Sequence, residues 1–175
     1  EEIEAVKRLI ESKQLFKVNN GDLQETMHAE AELAEKLGAK HALVMTSGHA
    51  AIASALVALG IGPGDEVIVP SYTFIASSFS VVQAGAVPVF GDVTEDHTLD
   101  PKCIEKLITP KTKAIMVVHY FAYPCDMDRI MAIAKKHNLL VIEDVSHAQG
   151  GMYKGKRLGT FGDVAAMSLM SCKSF

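Results

Sequence analysis

Three short stretches carry side chains whose types and spacing could do chemistry. Thr46-Ser47-Gly48-His49-Ala50 places small residues where a helix is expected to begin. Unpaired backbone N–H groups and the helix dipole make such a start attractive to an anion, although Ser-Gly before a helix is also an ordinary cap. Glu143-Asp144-Val145-Ser146-His147 ends an apolar run with carboxylates and adds an imidazole three residues after Asp144. A carboxylate there is costly to desolvate unless it meets a cation or a hydrogen-bond donor. Local capping by Asp144 and a surface His147 are the plain alternative. Ser168-x4-Lys173 sets a hydroxyl and an amine at the end of another apolar run. The amine is either a solvent-facing lysine or one activated for bond formation to a carbonyl. An Asp-His relay to a serine lacks the Gly-x-Ser-x-Gly turn it would need. A metal set from His119, Cys125, Asp144 and His147 matches no usual ligand spacing.

The elements that must position these residues alternate between strand and helix. Ile3, Val6, Leu9 and Ile10 share one face of a first helix; Asn19-Asn20-Gly21-Asp22 reads as a turn, with Asp22 capping a second helix that Gly38 ends. Strands are expected at His41–Met45, Glu66–Val69, Ala86–Phe90, Lys113–Val118, Leu139–Glu143 and Val164–Leu169. Helices are expected at Ala50–Leu59, Thr73–Gln83, Pro101–Ile108 and Met127–His137, with a glycine-rich loop and a short hairpin before the last strand. Near-continuous apolar strands alternating with helices predict an α/β domain whose mostly parallel sheet is covered on both faces.

In such sheets ligands gather outside the carboxyl ends of the strands. An anion cradle, a carboxylate and a lysine at three strand ends are the set that pyridoxal phosphate asks for. The bulk properties agree with a soluble enzyme-sized domain. The chain has 175 residues, 49% of them hydrophobic and 22% charged, and a net charge of −4, which gives no reason to expect nucleic acid or an anionic membrane as partner. Its three scattered cysteines suggest reduced thiols and a cytoplasmic protein.

Several segments together resemble the DegT/DnrJ/EryC1/StrS sugar aminotransferases, a family of the aspartate aminotransferase fold. They are Thr46–Ala51, Pro70–Ser77, Gly85–Val93, Glu143–Gly150, Gly159–Asp163 and Ser168-x4-Lys173. The resemblance implies a three-layer α/β/α architecture, the large domain of a fold type I pyridoxal phosphate enzyme. Residues 1–175 would be an N-terminal segment plus that domain, incomplete, with a C-terminal small domain outside the chain, since family members are about twice as long. It also implies roles: Lys173 as catalytic Schiff-base lysine and proton shuttle, Asp144 paired with the pyridine nitrogen, and His147 at the phenolic oxygen where the family often has glutamine. Ser168 and the Gly48-His49-Ala50 turn would hold the phosphate, and Phe74 would stack on the ring, core packing being its alternative. Two departures stand out. His49 replaces the usual threonine, and His119-Tyr120-Phe121-Ala122 lacks a usual glycine.

The implied reaction moves an amino group from glutamate or glutamine to a keto group of a nucleotide-linked sugar or cyclitol, in polysaccharide or antibiotic biosynthesis, by a homodimer with shared sites. Dehydratase relatives carry histidine in place of Lys173. Relatives making aminohydroxybenzoate, and a non-catalytic cofactor-binding partner chain, are the other readings.

Overall fold

The structure, a computed structural model, describes residues 1–17 and 25–173. The expected turn at Asn19–Asp22 and the Asp22 cap lie outside the described residues. The chain divides into two compact units, Glu1–Val44 and Met45–Phe175.

The first unit holds helices α1 (Glu2–Ser12) and α2 (Glu25–Leu37). Lys13 closes α1 in the left-handed region, donating its N–H to Ile10, and Gly38, at φ +70°, closes α2. The strand expected at His41–Met45 is not formed: the segment is irregular and Leu43 is exposed. The N–H of Val44 is taken by the Glu30 carboxylate at 2.7 Å, which also accepts from Lys17. A backbone donor engaged by a side chain is unavailable to a ladder.

The second unit contains α3 (Gly48–Ala58), β1 (Glu66–Pro70), α4 (Ala76–Gln83), β2 (Val87–Gly91), α5 (Pro101–Leu107), β3 (Thr112–Val118), α6 (Met127–His137), β4 (Leu140–Asp144), the hairpin β5 (Met152–Tyr153) and β6 (Lys156–Arg157), and β7 (Val164–Ala166). Five strands form one parallel sheet in the order β2-β1-β3-β4-β7. The three-layer expectation for this unit is met. Strand residues alternate between two cores: Val67, Val69, Met116 and Ile142 pack with Ile52 and Leu56 of α3 and Val81 of α4, while Ile68, Ile115, Val117 and Val141 pack with Ile104 of α5 and Ile130 of α6. Runs that look uniformly apolar are thus two interleaved period-two patterns, each facing its own helix layer.

Two boundaries depart from expectation in ways that matter for the site. Helix α4 begins at Ala76 rather than Thr73, which leaves Tyr72, Thr73 and Phe74 as a connector at the end of β1. Strand β7 stops at Ala166 rather than Leu169. Its last ladder partner is Asp144, and beyond it the backbone of Ser168 is bonded by side chains instead. Among the described residues no helix is long and apolar enough to cross a membrane.

Candidate active site

Because the sheet is parallel, the ends of β1, β3, β4 and β7 open on one side, and the chemically capable residues follow those ends. Ser47 caps α3, its hydroxyl accepting from the Ala50 N–H at 3.0 Å. Gly48, the first residue of α3, lies against Ser168: a Cβ at Gly48 would come 3.2 Å from the Ser168 Cβ. The helix start and the segment following β7 are therefore neighbours, and a side chain at residue 48 would make a tight contact there. The Ser168 hydroxyl has one long contact, from the Met170 N–H at 3.4 Å, which leaves it capacity for another acceptor or donor.

His49 resolves differently from a threonine at that position. Its ring is turned onto α4, with Nε2 2.5 Å from the Gln83 amide oxygen, Nδ1 3.1 Å from the Ser80 hydroxyl, and a stacked contact with Phe79. An anion at the start of α3 would meet backbone and not the imidazole, and the Ala50 N–H is already donated to Ser47.

Asp144 ends β4 and is 6% exposed. Its Oδ2 accepts from the Ser77 hydroxyl at 3.3 Å and its Oδ1 from the Ser146 N–H at 3.0 Å. The Ser77 bond joins it to the segment that carries Phe74. Phe74 is 69% exposed, so core packing does not account for it. Its ring is available to a planar ligand.

His147 is half-buried, with its ring stacked on Phe121 (5.4 Å, 27°) and tilted against Tyr120 (5.2 Å). Its Nδ1 is buried without a hydrogen-bond partner. Burial lowers its pKa, the Lys173 charge lowers it further, and Asp144 opposes both. Lys173 is thus close enough for its charge to reach the imidazole. It is half-buried, on a turn whose N–H is donated to Met170 at 2.8 Å.

The metal alternative does not assemble. His119 accepts the Cys125 N–H on Nδ1 and points Nε2 at Glu143, burial pushes the Cys125 thiol up to about 12, and no group of three metal-ligating side chains occurs among the described residues.

Four residues with structural claims on the site stand outside the expected set. Ser77 hydrogen-bonds the carboxylate across 67 positions of sequence, which no local pattern signals. Ser146 and Gln149 engage the Ser168 backbone. Glu143, fully buried beside Asp144, accepts from His119, Gly159, Phe161 and Gly162 and so fixes the glycine-rich loop that leads into β7. The run Glu143-Asp144 at a strand end was the one available signal, since one carboxylate of a buried pair must be satisfied by structure.

Pyridoxal phosphate fits this donor set. Its members are a hydrogen-bonded buried carboxylate at the end of β4, a glycine-backed helix start beside a serine, an exposed phenylalanine after β1, a half-buried lysine beyond β7 and a buried imidazole nitrogen with no partner.

Known proteins agree in sequence and shape. The model of the DegT/DnrJ/EryC1/StrS aminotransferase family matches residues 1–175. A GDP-perosamine synthase of Caulobacter vibrioides is 51% identical over 145 residues, covering 82% of this chain and 39% of its own. The crystal structure of 3-amino-5-hydroxybenzoic acid synthase superposes with a TM-score of 0.89 at 39% identity, over 95% of this chain and 43% of that one. A structure described as the PLP form of a sugar aminotransferase of Streptococcus pneumoniae superposes with a TM-score of 0.86 at 28% identity, over 98% of this chain and 47% of that one. The chain therefore spans about two fifths of the length of the curated relatives it matches. By fold and by likeness along its whole length, the chain belongs to the DegT/DnrJ/EryC1/StrS aminotransferase family.

Proposed function

We propose that the chain is the cofactor-binding part of a pyridoxal phosphate-dependent aminotransferase that passes an amino group from glutamate or glutamine to a keto group on a nucleotide-linked sugar. The observation that carries this reading is the meeting of Ser168 with Gly48 at the start of α3, linked through Ser146 to the buried Asp144 carboxylate. Similarity to a GDP-perosamine synthase supports the sugar nucleotide. A cytoplasmic homodimer with shared sites completes the reading, and the three free thiols are compatible with that compartment.

Each residue has a task the geometry allows. The backbone N–H groups at the start of α3 and the Ser168 hydroxyl would hold the phosphate. Asp144, oriented by the Ser77 hydroxyl and the Ser146 N–H, would face the pyridine nitrogen and favour its protonated form. Phe74 would cover one ring face. His147, with a free buried nitrogen, would hydrogen-bond the phenolic oxygen. Bound pyridoxal phosphate supplies an electron-poor ring that accepts the electron pair left when a proton departs the substrate carbon. Lys173 Nζ would hold the cofactor covalently between turnovers and, once released, carry that proton from one carbon to the next.

The test is a visible absorption spectrum of the purified protein after addition of pyridoxal phosphate. Wild type gains the band of the lysine-bound cofactor and Lys173→Ala does not; a protein that stays colourless refutes the reading. Assay of nucleotide-linked keto-sugars against keto-cyclohexenoid acids, each with glutamine as donor, separates it from the chemistry named for 3-amino-5-hydroxybenzoic acid synthase.

A further inference from the structure

Beyond Ala166 the parallel ladder between β4 and β7 ends, two residues short of Ser168. The last regular bond runs from the Val145 N–H to the Ala166 carbonyl at 2.9 Å. Two side chains from the turn after β4 then replace the missing strand. The Ser146 hydroxyl accepts the Ser168 N–H at 3.1 Å. Gln149 donates from Nε2 to the Ser168 carbonyl at 2.9 Å and to the Ser146 carbonyl at 2.8 Å. Both backbone groups of Ser168 are thus held by side chains, and the holders belong to the turn that also supplies Asp144 and His147. Ser146 closes the circuit, since its own N–H is donated to Asp144 at 3.0 Å.

Such an arrangement costs more than a ladder would. Gln149 leaves its Oε1 buried without a partner in order to aim its amino group at two carbonyls, and an unpaired buried acceptor is destabilising. What the arrangement gains is a fixed separation between the Asp144 carboxylate and residue 168, with Gly48 close against the Ser168 backbone and Cβ.

We infer that Ser146 and Gln149 are positioning residues that set the anion-binding end of the site at a fixed distance from Asp144, by clamping the Ser168 backbone. The inference rests on the cofactor reading above. It concerns the phosphate of the ligand and not its ring, and that difference makes it testable. Binding of pyridoxal 5′-phosphate and of pyridoxal, which lacks the phosphate, is titrated by absorbance on wild type, Ser146→Ala, Ser146→Thr and Gln149→Met, with inorganic phosphate as competitor. Thermal unfolding is followed in parallel so that binding is read on folded protein.

Ser146→Ala, which removes one oxygen, and Gln149→Met are each expected to weaken pyridoxal 5′-phosphate binding by about tenfold or more, as losing one or two hydrogen bonds implies, and to leave pyridoxal binding within about twofold of wild type. Inorganic phosphate protects wild type and competes poorly in the variants, Ser146→Thr restores affinity, and Ser146→Ala adds nothing on a Ser168→Ala background. Equal losses for both ligands, or no loss for either, overturn the inference while the cofactor reading stands. Wild-type protein that binds neither ligand overturns the cofactor reading and the inference with it.

Discussion

Glu143→Gln is a near-isosteric change with a large expected cost. The carboxylate is fully buried and accepts four hydrogen bonds: Oε1 from the N–H groups of Phe161 (2.7 Å) and Gly162 (2.8 Å), Oε2 from the Gly159 N–H (2.8 Å) and His119 Nε2 (3.2 Å). Every donor is fixed. Three are backbone, and His119 must keep its proton on Nε2 because its Nδ1 accepts the Cys125 N–H. An amide replaces one oxygen and turns an amino group on whichever pair of donors meets the other end. Two bonds are lost and two buried donors face a third donor, which amounts to about 3–5 kcal/mol, a large share of an ordinary domain's stability. Urea unfolding at neutral pH measures it as a lower midpoint at unchanged slope.

The pH dependence carries the second check. Burial alone would raise the Glu143 pKa, but the bonds from His119, Gly162 and Gly159 outweigh it and hold it below the ordinary 4.5. The stabilisation is therefore complete above the unfolded-state value and is lost as pH falls through the lower folded value. The gap between wild type and variant should close on acidification below pH ~4. A loss under about 1 kcal/mol at neutral pH, or a gap that widens in acid, would refute the reasoning.

Ala122 sits at φ +66°, just after Phe121 at +46°; glycine at 122 relieves about 1–2 kcal/mol of left-handed strain against about 0.5–1 of added chain entropy, so Ala122→Gly should raise the melting temperature by a few degrees. Gly162→Ala would place a Cβ 2.5 Å from the Val141 carbonyl oxygen, and calorimetry should find it less stable by about 2 kcal/mol or more. The His147 ring should titrate below the ordinary 6.5 when followed by NMR. Its value should rise in Lys173→Met and fall in Asp144→Asn, and the stability it lends, present above 6.5, should drain as pH falls through the folded value.

The sheet was readable from the sequence because its strands are short apolar runs bounded by Gly, Pro and helix caps, and Met127–His137 agrees at both ends. The His41–Met45 expectation failed because apolar character says nothing about whether a partner ladder is present, and here Glu30 engages the Val44 N–H. The over-long last strand failed for a related reason: Leu169 and Met170 look like strand residues, but both are exposed once side chains replace the ladder. Within the site, Asp144 ends β4 as its spacing predicts, whereas Ser168 and Lys173 lie beyond the end of β7 rather than on or directly after an extended strand. The Ser77–Asp144 bond, the turning of His49 toward α4 and the Glu143 cluster were invisible, because each is set by a partner 16 or more positions away.

Strand β2 forms one margin of the sheet, and its composition bears on how copies of this molecule coexist at high concentration. The Val87 N–H is donated to Asp65 and the Gly91 carbonyl accepts from Ser71, so residues 87, 89 and 91 turn their backbone groups inward to β1. Residues 88 and 90 face outward, and residue 88 is proline, which has no N–H to offer. Of the two outward donors such a strand would present, only that of Phe90 remains. With the apolar side chains of Val87 and Phe90 more than half exposed, this margin would otherwise invite a foreign strand to add itself. Pro88 interrupts that template, and Pro88→Val would trade a blunted margin for a self-adhesive one.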